Sequence, residues 1–386
     1  SMAVISAFIG AKGLGFNLLL ALNQLNIGLA LEAGLCISLI AILLDKMSLA
    51  WANQQQDYFG NLSFYQRNKN VIFFAASFVI GIILAYVGTF IFKGSFNYLF
   101  EIPHNKGIST ADFWNKGVDW IFDTFFVYIK AFNTWLIQDV LQPMRALYLR
   151  MPAVATLVLA VGAGYLIGGV RSALVVAALT LFIALSPWWD RALVTLYMAT
   201  FGVVISCLIG FTVGTLCFQN KKSAAFMLGV CDIFQTFPSF VYLIPVMMLF
   251  GITDTSVLIA VIVYATIPAT RYTIEGLRSV PVGLHEAATM SGVNKFQRLT
   301  KIEFPLAFPH MMLGLNQTIV FALFMVIIGA FIGTEDLGQY ILKALSDKNG
   351  AGIGLTLGIC VAFIGLIFDN LIRTWVGKRK KHLGID

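Results

Sequence analysis

The sequence predicts an all-α integral membrane protein that crosses the bilayer several times, and three observations lead to this prediction. Of the 386 residues, 59% are hydrophobic and only 12% are charged, whereas soluble domains carry about 25% charged residues. Several uncharged stretches reach the roughly 20 apolar residues that a spanning helix needs. The basic residues behind the net charge of +7 lie between these stretches, as the positive-inside rule expects, so no nucleic-acid partner is predicted.

Ten apolar stretches are candidate spans or parts of spans. The first has the character of the end of a span, and the second carries only Glu32. Arg171 separates the fourth from the fifth, so we predict two spans there rather than one. The seventh contains a single charge, Asp232. The stretches are 2–10, 27–44, 71–92, 151–170, 172–189, 192–220, 224–250, 255–270, 304–334 and 349–368.

The basic residues also predict the orientation of the spans. A basic tail at 378–381 is expected to be cytoplasmic, and counting spans back from it assigns each loop to one side. Most of the short, strongly basic loops then fall on the same side, which supports the span count. The predicted cytoplasmic segments are 67–69, 171, 221–222 and 271–301, and the predicted outer segments are 93–150, 187–190, 251–254 and 334–348.

The segment 112–150 is neither a span nor an ordinary loop. Polar residues such as Lys116 and Asp119 alternate with aromatic residues such as Trp120 and Trp135. That spacing is typical of a helix that lies in the bilayer interface. A cap domain on the outer face is the alternative.

An internal repeat relates the two ends of the chain. Residues 2–26 align with 325–349 without a gap, and a shift of one residue extends the match to Trp51 and Trp375. Shared membrane composition explains matching Leu and Ile, but not matching Gly, Asp and Trp at fixed offsets. The end of one unit therefore precedes a complete second copy. The matched pairs include Gly10 with Gly333, Gly15 with Gly338, Gly34 with Gly358, Cys36 with Cys360, and Asp45 with Asp369.

The stretch 278–305 is the most informative part of the sequence. We predict a short helix that starts near Glu286, where an acidic side chain is favourable in the first turn. Gly292 then permits a turn, and Pro305 restarts the chain in the first turn of the next span. Such a helix–turn–helix is suited to docking a partner, and an ordinary amphipathic loop is the alternative. The motif reads Glu286-Ala287-Ala288-x-x-x-Gly292 and then Ile302-x-Phe304-Pro305.

This arrangement resembles the coupling loop, or EAA motif, of ATP-binding-cassette (ABC) importer permeases. The resemblance implies a multi-span helical permease fold of the type I importer kind, in which the loop inserts into a groove of a cytoplasmic ATPase. Phe304 departs from the leucine that is commoner at its position. By this resemblance the ATPase-coupling residues are Glu286, Ala287, Ala288, Gly292, Ile302 and Pro305.

Two further stretches, 234–245 and 333–338, resemble the glycine betaine/proline branch of that family. The resemblance implies transport of betaines, proline, choline or related methylated amines such as trimethylamine N-oxide across the cell inner membrane. It also implies several partners: cytoplasmic ATPase subunits that bind ATP and Mg²⁺, a periplasmic or extracellular substrate-binding protein, and a second permease copy in the bilayer. No cofactor is expected on this chain.

The repeat and the resemblance together predict five regions. The first is the C-terminal remnant of a first permease copy, followed by a cytoplasmic linker, an extra span with the amphipathic interfacial segment, the permease transmembrane domain, and a basic cytoplasmic tail. The transmembrane domain contains the coupling loop at 279–305. In order, the regions are 1–52, 53–70, 71–150, 151–376 and 377–386.

Polar residues inside the apolar stretches are candidates for a substrate path or gate, because polar side chains at membrane depth are costly. Asp232 is one of them, and pairing with Lys221 or Lys222 is the alternative role. Asn316 and Gln317 form a second polar pair, for which hydrogen bonding between helices is the alternative.

Proline and aromatic residues follow Asp232 in the same stretch. The missing N–H of Pro238 kinks a helix, and a kinked span can line a cavity. Phe237 and Tyr242 could attract a quaternary ammonium group by cation–π contact, with aromatic packing as the alternative. The complete set of path or gate candidates is Asp232, Gln235, Thr236, Phe237, Pro238, Tyr242, Asn316 and Gln317.

The sequence lacks the G-x-x-x-x-G-K-[ST] pattern that cradles ATP, and no Ser/His/Asp set is spaced for catalysis. We therefore predict no catalytic residue, no metal site and no enzyme activity on this chain. The alternative class is an ion-coupled secondary transporter of a small amine or amino acid, which would show inverted repeats, whereas both copies here run in the same sense. A scaffold or sensor would leave the loop at 279–305 unexplained.

Overall fold

The computed structural model describes residues 12–24, 26–52, 69–90, 109–330 and 333–383, and it confirms the all-α prediction for them. The predicted stretch 2–10 and most of the cytoplasmic linker lie outside these ranges. The helices are α1 Leu14–Asn23, α2 Ile27–Ala52, α3 Lys69–Phe90, α4 Ala111–Trp135, α5 Gln142–Leu149, α6 Ala153–Leu185, α7 Trp189–Phe218, α8 Lys221–Thr236, α9 Phe240–Phe250, α10 Asp254–Arg278, α11 Val282–Met290, α12 Lys295–Arg298, α13 Phe304–Gly329, α14 Leu337–Ser346 and α15 Ala351–Leu383.

Six helices in the described part of the chain are long and apolar enough to cross a membrane, and the bent pair α8–α9 is a seventh candidate. The six are α2, α6, α7, α10, α15 and the continuous helix that joins α12 to α13. The join is a π-helical turn, Leu299–Glu303. The helix α3, predicted as a span over 71–92, has a shorter apolar section, Val71–Leu84.

The helix α6 reverses direction near its middle. Gly169 has φ 71° and ψ −162°, which is not helical. A Cβ atom on Gly164 would lie 3.1 Å from Cα of Ala173, although residues nine apart in a straight helix lie about 13.5 Å apart. The chain therefore folds back on itself at Gly169, two residues before Arg171, and the assignment of the two limbs of α6 to separate spans stays a prediction.

The helix α10 is the centre of the core and packs between α7 and α13. Ala265 and Ala269 on it are fully buried. A Cβ atom on Gly210 of α7 would overlap the methyl group of Ala269, and one on Gly314 of α13 would lie 2.7 Å from Cβ of Tyr272. Small residues let the backbones approach closely, which is how helices associate in a membrane, where lipid is as apolar as the side chains.

Contacts between distant residues agree with the predicted orientation. On the side predicted to be cytoplasmic, Nη2 of Arg278 donates a hydrogen bond to the carbonyl oxygen of Lys221 at 3.1 Å. On the other side, four residues from different helices and loops form one ion-pair cluster. All four lie in or next to segments that were predicted to be outside. They are Arg145, Arg191, Asp254 and Glu335.

The helices in the two copies of the repeat begin at matched residues. Both α1 and α14 contain 10 residues, and they begin at the matched residues Leu14 and Leu337. The following helices α2 and α15 begin at Ile27 and Ala351, which the one-residue shift also matches. Helix starts at the predicted offsets support the repeat.

The predicted amphipathic segment is helical over its whole length, because a π-helical turn, Leu136–Leu141, joins α4 to α5 without a break. Nδ2 of Asn133 donates to the carbonyl oxygen of Phe250 at 3.0 Å and holds α4 against α9. The outward side of α4 carries aromatic residues, among them Trp120 and Tyr128, which are 64% and 74% exposed. Its position in the bilayer interface stays a prediction.

The reversal in α6 can be tested by substitution. Gly169→Ala is expected to destabilise the protein by about 1–3 kcal/mol, because this backbone conformation is accessible almost only to glycine. Gly162→Ala is the matched control, since no atom lies within 4 Å of either added methyl group and alanine favours a helix by roughly 0.5–1 kcal/mol. Thermal unfolding in detergent micelles measures both variants. Equal midpoints would contradict the reversal.

Candidate functional site

The first limb of the predicted docking loop is the helix α11. It begins at Val282, directly after Pro281, so the prediction that it starts near Glu286 is wrong. Proline fixes φ and has no N–H to satisfy, which makes the chain after Pro281 ready to start a helix. Glu286 lies in the second turn and Ala287 follows it on the exposed side, whereas Ala288 is buried.

Gly292 makes the turn that was predicted for it. Its φ is 72°, and the backbone around it forms two hydrogen bonds that close the end of α11. The N–H of Val293 donates to the carbonyl of Ala288 at 3.1 Å, and the N–H of Gly292 donates to that of Thr289 at 3.1 Å. This pair of bonds is the Schellman motif, which favours glycine in the left-handed position. The turn between the two limbs is therefore fixed by the backbone.

The second limb is a direct extension of the span α13. Asn294 and Gln297 form a capping box at the start of α12, and the helix continues through the π-helical turn into α13. Pro305 lies in the first turn of α13, as predicted, but the helix does not restart there. A proline ring clashes with the carbonyl four residues earlier, and that residue, Lys301, lies in the wider π-helical turn. The half-buried Ile302 lies in the same turn.

An ion pair spans this π-helical turn. Nε of Arg298 lies 2.9 Å from Oε1 of Glu303, and the Glu303 side chain is only 2% exposed. Residues five apart lie on different sides of an α-helix but stack in a π-helix, so the pair depends on the turn. The sequence prediction did not pair Arg298 with Glu303. Opposite charges at a spacing of five, next to the motif, were the available signal.

The loop also exposes large apolar side chains. Met290 is 91% exposed and Phe296 is 72% exposed, which is unusual for large apolar residues outside a membrane span. Exposed apolar patches mark surfaces that bind other molecules. The sequence prediction did not single out these residues. Val282 and Leu284 are exposed as well. We call these four exposed apolar residues of the loop the apolar docking face: Val282, Leu284, Met290 and Phe296.

The bent pair α8–α9 contains the path or gate candidates. The two helices meet at 90°, and Phe237 and Pro238 lie at the bend, between them. Asp232 pairs with neither of the two lysines that were the alternative. Its Oδ1 lies 2.6 Å from Nη1 of Arg271 on α10, and the same nitrogen donates to Oε1 of Gln235 at 2.9 Å. Arg271 therefore ties the end of α8 to the core.

An aromatic row continues from the bend into the core. The hydroxyl of Tyr242 donates to the carbonyl of Phe234 and so connects the two helices across the bend. The Tyr242 ring lies 5.5 Å from that of Tyr264, which stacks at 4.8 Å on Phe321. Tyr242 and Tyr264 are both buried. Thr236 bonds back to its own helix, at the carbonyl of Ile233.

The second polar pair has a different role for each member. Nδ2 of Asn316 donates to Oδ1 of Asp369 at 2.7 Å, and Arg373 pairs with the same oxygen at 2.7 Å. Asn316 thus bonds α13 to α15, which is the bridging role that was the alternative to pore lining. Gln317, one residue on, is half-buried.

The outer ion-pair cluster fixes the loop before α14. Oε2 of Glu335 lies 2.8 Å from Arg145 and 3.3 Å from Arg191. Arg145 also lies 3.8 Å from Asp254, whose Oδ2 accepts a 2.7 Å hydrogen bond from the hydroxyl of Tyr197. The cluster therefore connects α5, α7 and the start of α10 through the loop.

Asp336 in the same loop is buried and caps α14. Its Oδ1 accepts from the N–H of Gln339 at 3.1 Å, and its Oδ2 accepts from the hydroxyl of Thr334 at 3.1 Å. Burial raises the pKa of Asp336 to about 7, and the charge of Asp254 adds to this effect, although the hydrogen bonds oppose it. The pKa of Glu335 is lowered instead, by its hydrogen bond and charge interaction with Arg145 and by Arg191.

Packed helices long enough to cross a membrane, with a rigid helix–turn–helix loop at one end of the core, are features expected of a transport permease. Comparison with known proteins agrees. Residues 202–382 match the family described as "Binding-protein-dependent transport system inner membrane component". The glycine betaine/proline betaine transport system permease protein ProW of Escherichia coli (strain K12) is 30% identical over 283 residues, 73% of this chain and 79% of that protein. The chain belongs to this family of binding-protein-dependent transport permeases.

Two longer relatives match over the whole chain. The trimethylamine N-oxide transport system permease protein TmoV of Pelagibacter ubique (strain HTCC1062) is 87% identical over 385 residues, 100% of this chain and 54% of that protein. The protein of the same name from Ruegeria pomeroyi (strain ATCC 700808 / DSM 15171 / DSS-3) is 38% identical over 401 residues, 100% of this chain and 58% of that protein. The chain thus spans somewhat more than half the length of these relatives.

The opposite pKa directions of the two outer acids predict opposite pH effects. The raised pKa of Asp336 means that the folded state holds an extra proton from its ordinary value of 3.8 up to about 7, so stability falls as the pH rises through this window. In Asp336→Asn the side chain can still cap α14 but has no proton to lose. The thermal midpoint of this variant should therefore rise relative to that of the wild type as the pH rises from about 4 to about 7. Glu335→Gln should have a lower thermal midpoint than the wild type at neutral pH, and this difference should shrink as the pH falls. Parallel pH curves for all three proteins would contradict these opposite effects.

Proposed function

We propose that this chain is the membrane-spanning permease part of an ABC importer whose substrate is trimethylamine N-oxide or a related methylated amine such as glycine betaine. The family supports the permease class, and the names of the relatives support the substrate class. The cell inner membrane is the proposed location, by analogy with the same family. The ion-coupled secondary transporter is not favoured by any of these comparisons.

The observation that carries this proposal is the docking loop. Its apolar docking face is exposed, its turn is fixed by the Schellman bonds, and its second limb is continuous with α13. We infer that cytoplasmic ATPase subunits cover this face. ATP and Mg²⁺ would bind to those subunits and not to this chain. Glu286 and Ala287, exposed on α11, belong to the same contact.

The fold offers a continuous route from the loop to the bent pair. A force on α11 reaches the second limb through the fixed turn and moves α13, because the helix between them is unbroken. The close packing of α13 on α10 passes the displacement to Arg271, which holds Asp232 and Gln235 at the end of α8. The bend at Phe237 and Pro238 is the part of the route that can open. A substrate-binding protein would deliver its cargo from the outer side, where the cluster around Glu335 lies.

The substrate path is proposed to run past the bend. Phe237 lies at the bend with its ring 5.9 Å from that of Phe234, and the buried ring of Tyr242 stacks on Phe234 at 6.1 Å. Aromatic faces attract a methylated cation. Thr236 and Gln317 stay candidates for polar contacts along the path, whereas Asn316 is engaged by Asp369.

The energy source can be tested in the whole natural protein with its partner subunits, reconstituted in vesicles. Uptake of labelled trimethylamine N-oxide should stop on ATP depletion while ion gradients are held constant. The double variant Glu286→Lys, Gly292→Pro should abolish uptake without loss of the folded membrane protein, because proline cannot adopt the positive φ at 292. Uptake at the wild-type rate in this variant would rule out a coupling role for Glu286 and Gly292.

The apolar docking face makes a separate prediction about the ATPase. Burying one large apolar side chain contributes about 1.5–3 kcal/mol, so Met290→Ser with Phe296→Ser should weaken ATPase binding on the order of a hundredfold or more. Ile252→Ser is the matched control, because Ile252 is 62% exposed but lies in the outer loop between α9 and α10. Copurification of the ATPase with each variant measures the effect. Equal recovery with both variants would refute the docking face.

A further inference from the structure

The hydroxyl group of Ser239 is buried at the bend between α8 and α9. Ser239 is 0% exposed, and its Oγ atom has no hydrogen-bond partner among the described residues. A serine that precedes a helix often caps it through its side chain, but here the side chain caps nothing. The N–H of Tyr242 donates to the backbone carbonyl of Ser239 instead, at 3.2 Å. A buried hydroxyl without a partner is rare and destabilising, so it calls for an explanation.

The hydroxyl group of Tyr242 takes the place of a missing backbone N–H at the same bend. Phe234 lies in the last turn of α8, where carbonyl groups have no partner within the helix. Pro238, four residues later, has no N–H to offer. The Tyr242 hydroxyl donates to the Phe234 carbonyl and so connects the two helices. A hydroxyl has only one hydrogen to donate, so a competing acceptor would break this connection.

Both hydroxyl groups belong to the N-terminal end of α9, which is 11 residues long. Ser239 has helical backbone angles, φ −54° and ψ −30°, so Ser239 and Tyr242, three residues apart, are neighbours on one side of the helix. The N-terminus of a helix carries a partial positive charge and favours anions. The first turn of α9 has no acidic residue, and Asp232 on α8 is held by Arg271. This end of the bent pair is therefore suited to a negatively charged oxygen.

We propose that the first turn of α9 binds the negatively charged oxygen of the transported methylated amine, and that the hydroxyl groups of Ser239 and Tyr242 donate to it. This oxygen belongs to the N-oxide in trimethylamine N-oxide and to the carboxylate in a betaine. The inference rests on the proposed function and deepens it, because it names the chemical group that the permease recognises. The ring of Phe237 at the bend is available to the positively charged methylated end.

Binding at this place also releases the connection across the bend. A hydrogen bond to a charged acceptor is about twice as strong as one to a neutral acceptor, so the substrate oxygen takes the Tyr242 hydroxyl from the Phe234 carbonyl. A ligand shifts a conformational equilibrium only as far as it prefers one state, and this exchange provides the preference. A methylated ammonium ion that lacks an acceptor oxygen cannot make the exchange.

Removal of the Ser239 hydroxyl tests the site, because stability and transport should respond differently. Ser239→Ala deletes one oxygen that has no partner among the described residues, so the thermal midpoint in detergent should stay the same or rise. Uptake of labelled trimethylamine N-oxide is measured in the whole natural protein, reconstituted with its partner subunits and ATP. It should fall roughly tenfold or more, as expected from the loss of one hydrogen bond to a charged group. Wild-type uptake in Ser239→Ala would overturn the inference.

Thr180→Val is the matched control. The Thr180 hydroxyl is also buried, at 4% exposed, and has no partner among the described residues, but it lies on α6, which packs on α15 and α7. This variant should keep wild-type uptake, and an equal loss in both variants would refute a specific role for Ser239. If the wild-type protein shows no ATP-dependent uptake, the proposed function fails and the site fails with it. Uptake by the wild type and by Ser239→Ala alike refutes the site alone.

Tyr242→Phe removes the second hydroxyl and its bond to the Phe234 carbonyl together. This variant should lower both the thermal midpoint and the uptake of trimethylamine N-oxide, whereas Ser239→Ala should lower the uptake only. The same two measurements check it. Uptake at the wild-type rate in Tyr242→Phe would exclude its hydroxyl from the site and overturn the exchange.

Discussion

The close packing of α10 between α7 and α13 is the constraint on which the rest of the structure depends. In a membrane the hydrophobic effect does not drive helices together, so backbone approach through small residues supplies the contact. Gly210 and Gly314 allow α7 and α13 to reach α10 at this distance. Because α10 is packed on two sides, it is held rigidly in place. Its two ends carry Asp254 and Arg271, which pair with residues on neighbouring helices.

The ends of α10 explain how the two faces of the protein are connected. At the outer end, Asp254 joins Tyr197 and Arg145 and so reaches the Glu335 loop. At the inner end, Arg271 holds Asp232 and Gln235 of the bent pair. The helix α10 thus connects the outer ion-pair cluster with the bent pair, and α13, which packs along it, continues into the docking loop. The docking loop needs no flexible part of its own, because its turn is closed by backbone hydrogen bonds.

The sequence was sufficient where local chemistry decides the structure. A charge between two apolar stretches predicted the reversal beside Arg171, and a glycine in the motif predicted the positive φ at Gly292. It was insufficient where a tertiary contact or a change of helix type decides. The lysines near Asp232 in sequence were the obvious partners, but Arg271 is brought closer by the packing of α8 on α10. The helix continues through Pro305 because a π-helical turn precedes it. So short a turn has no apolar periodicity by which the sequence could predict it.

The repeat preserves some features of the unit and changes others, and the difference has a physical pattern. Gly34 is matched by Gly358, and at Gly34 the small residue allows the close approach of Val241. The outer ion-pair residues are not preserved, because Lys12 and Gly13 occupy the positions that match Glu335 and Asp336. A lysine there cannot pair with an arginine equivalent to Arg191, and a glycine cannot cap a helix through its side chain. The two copies therefore keep a small residue at matched positions of the last helix but carry different charge in the preceding loop.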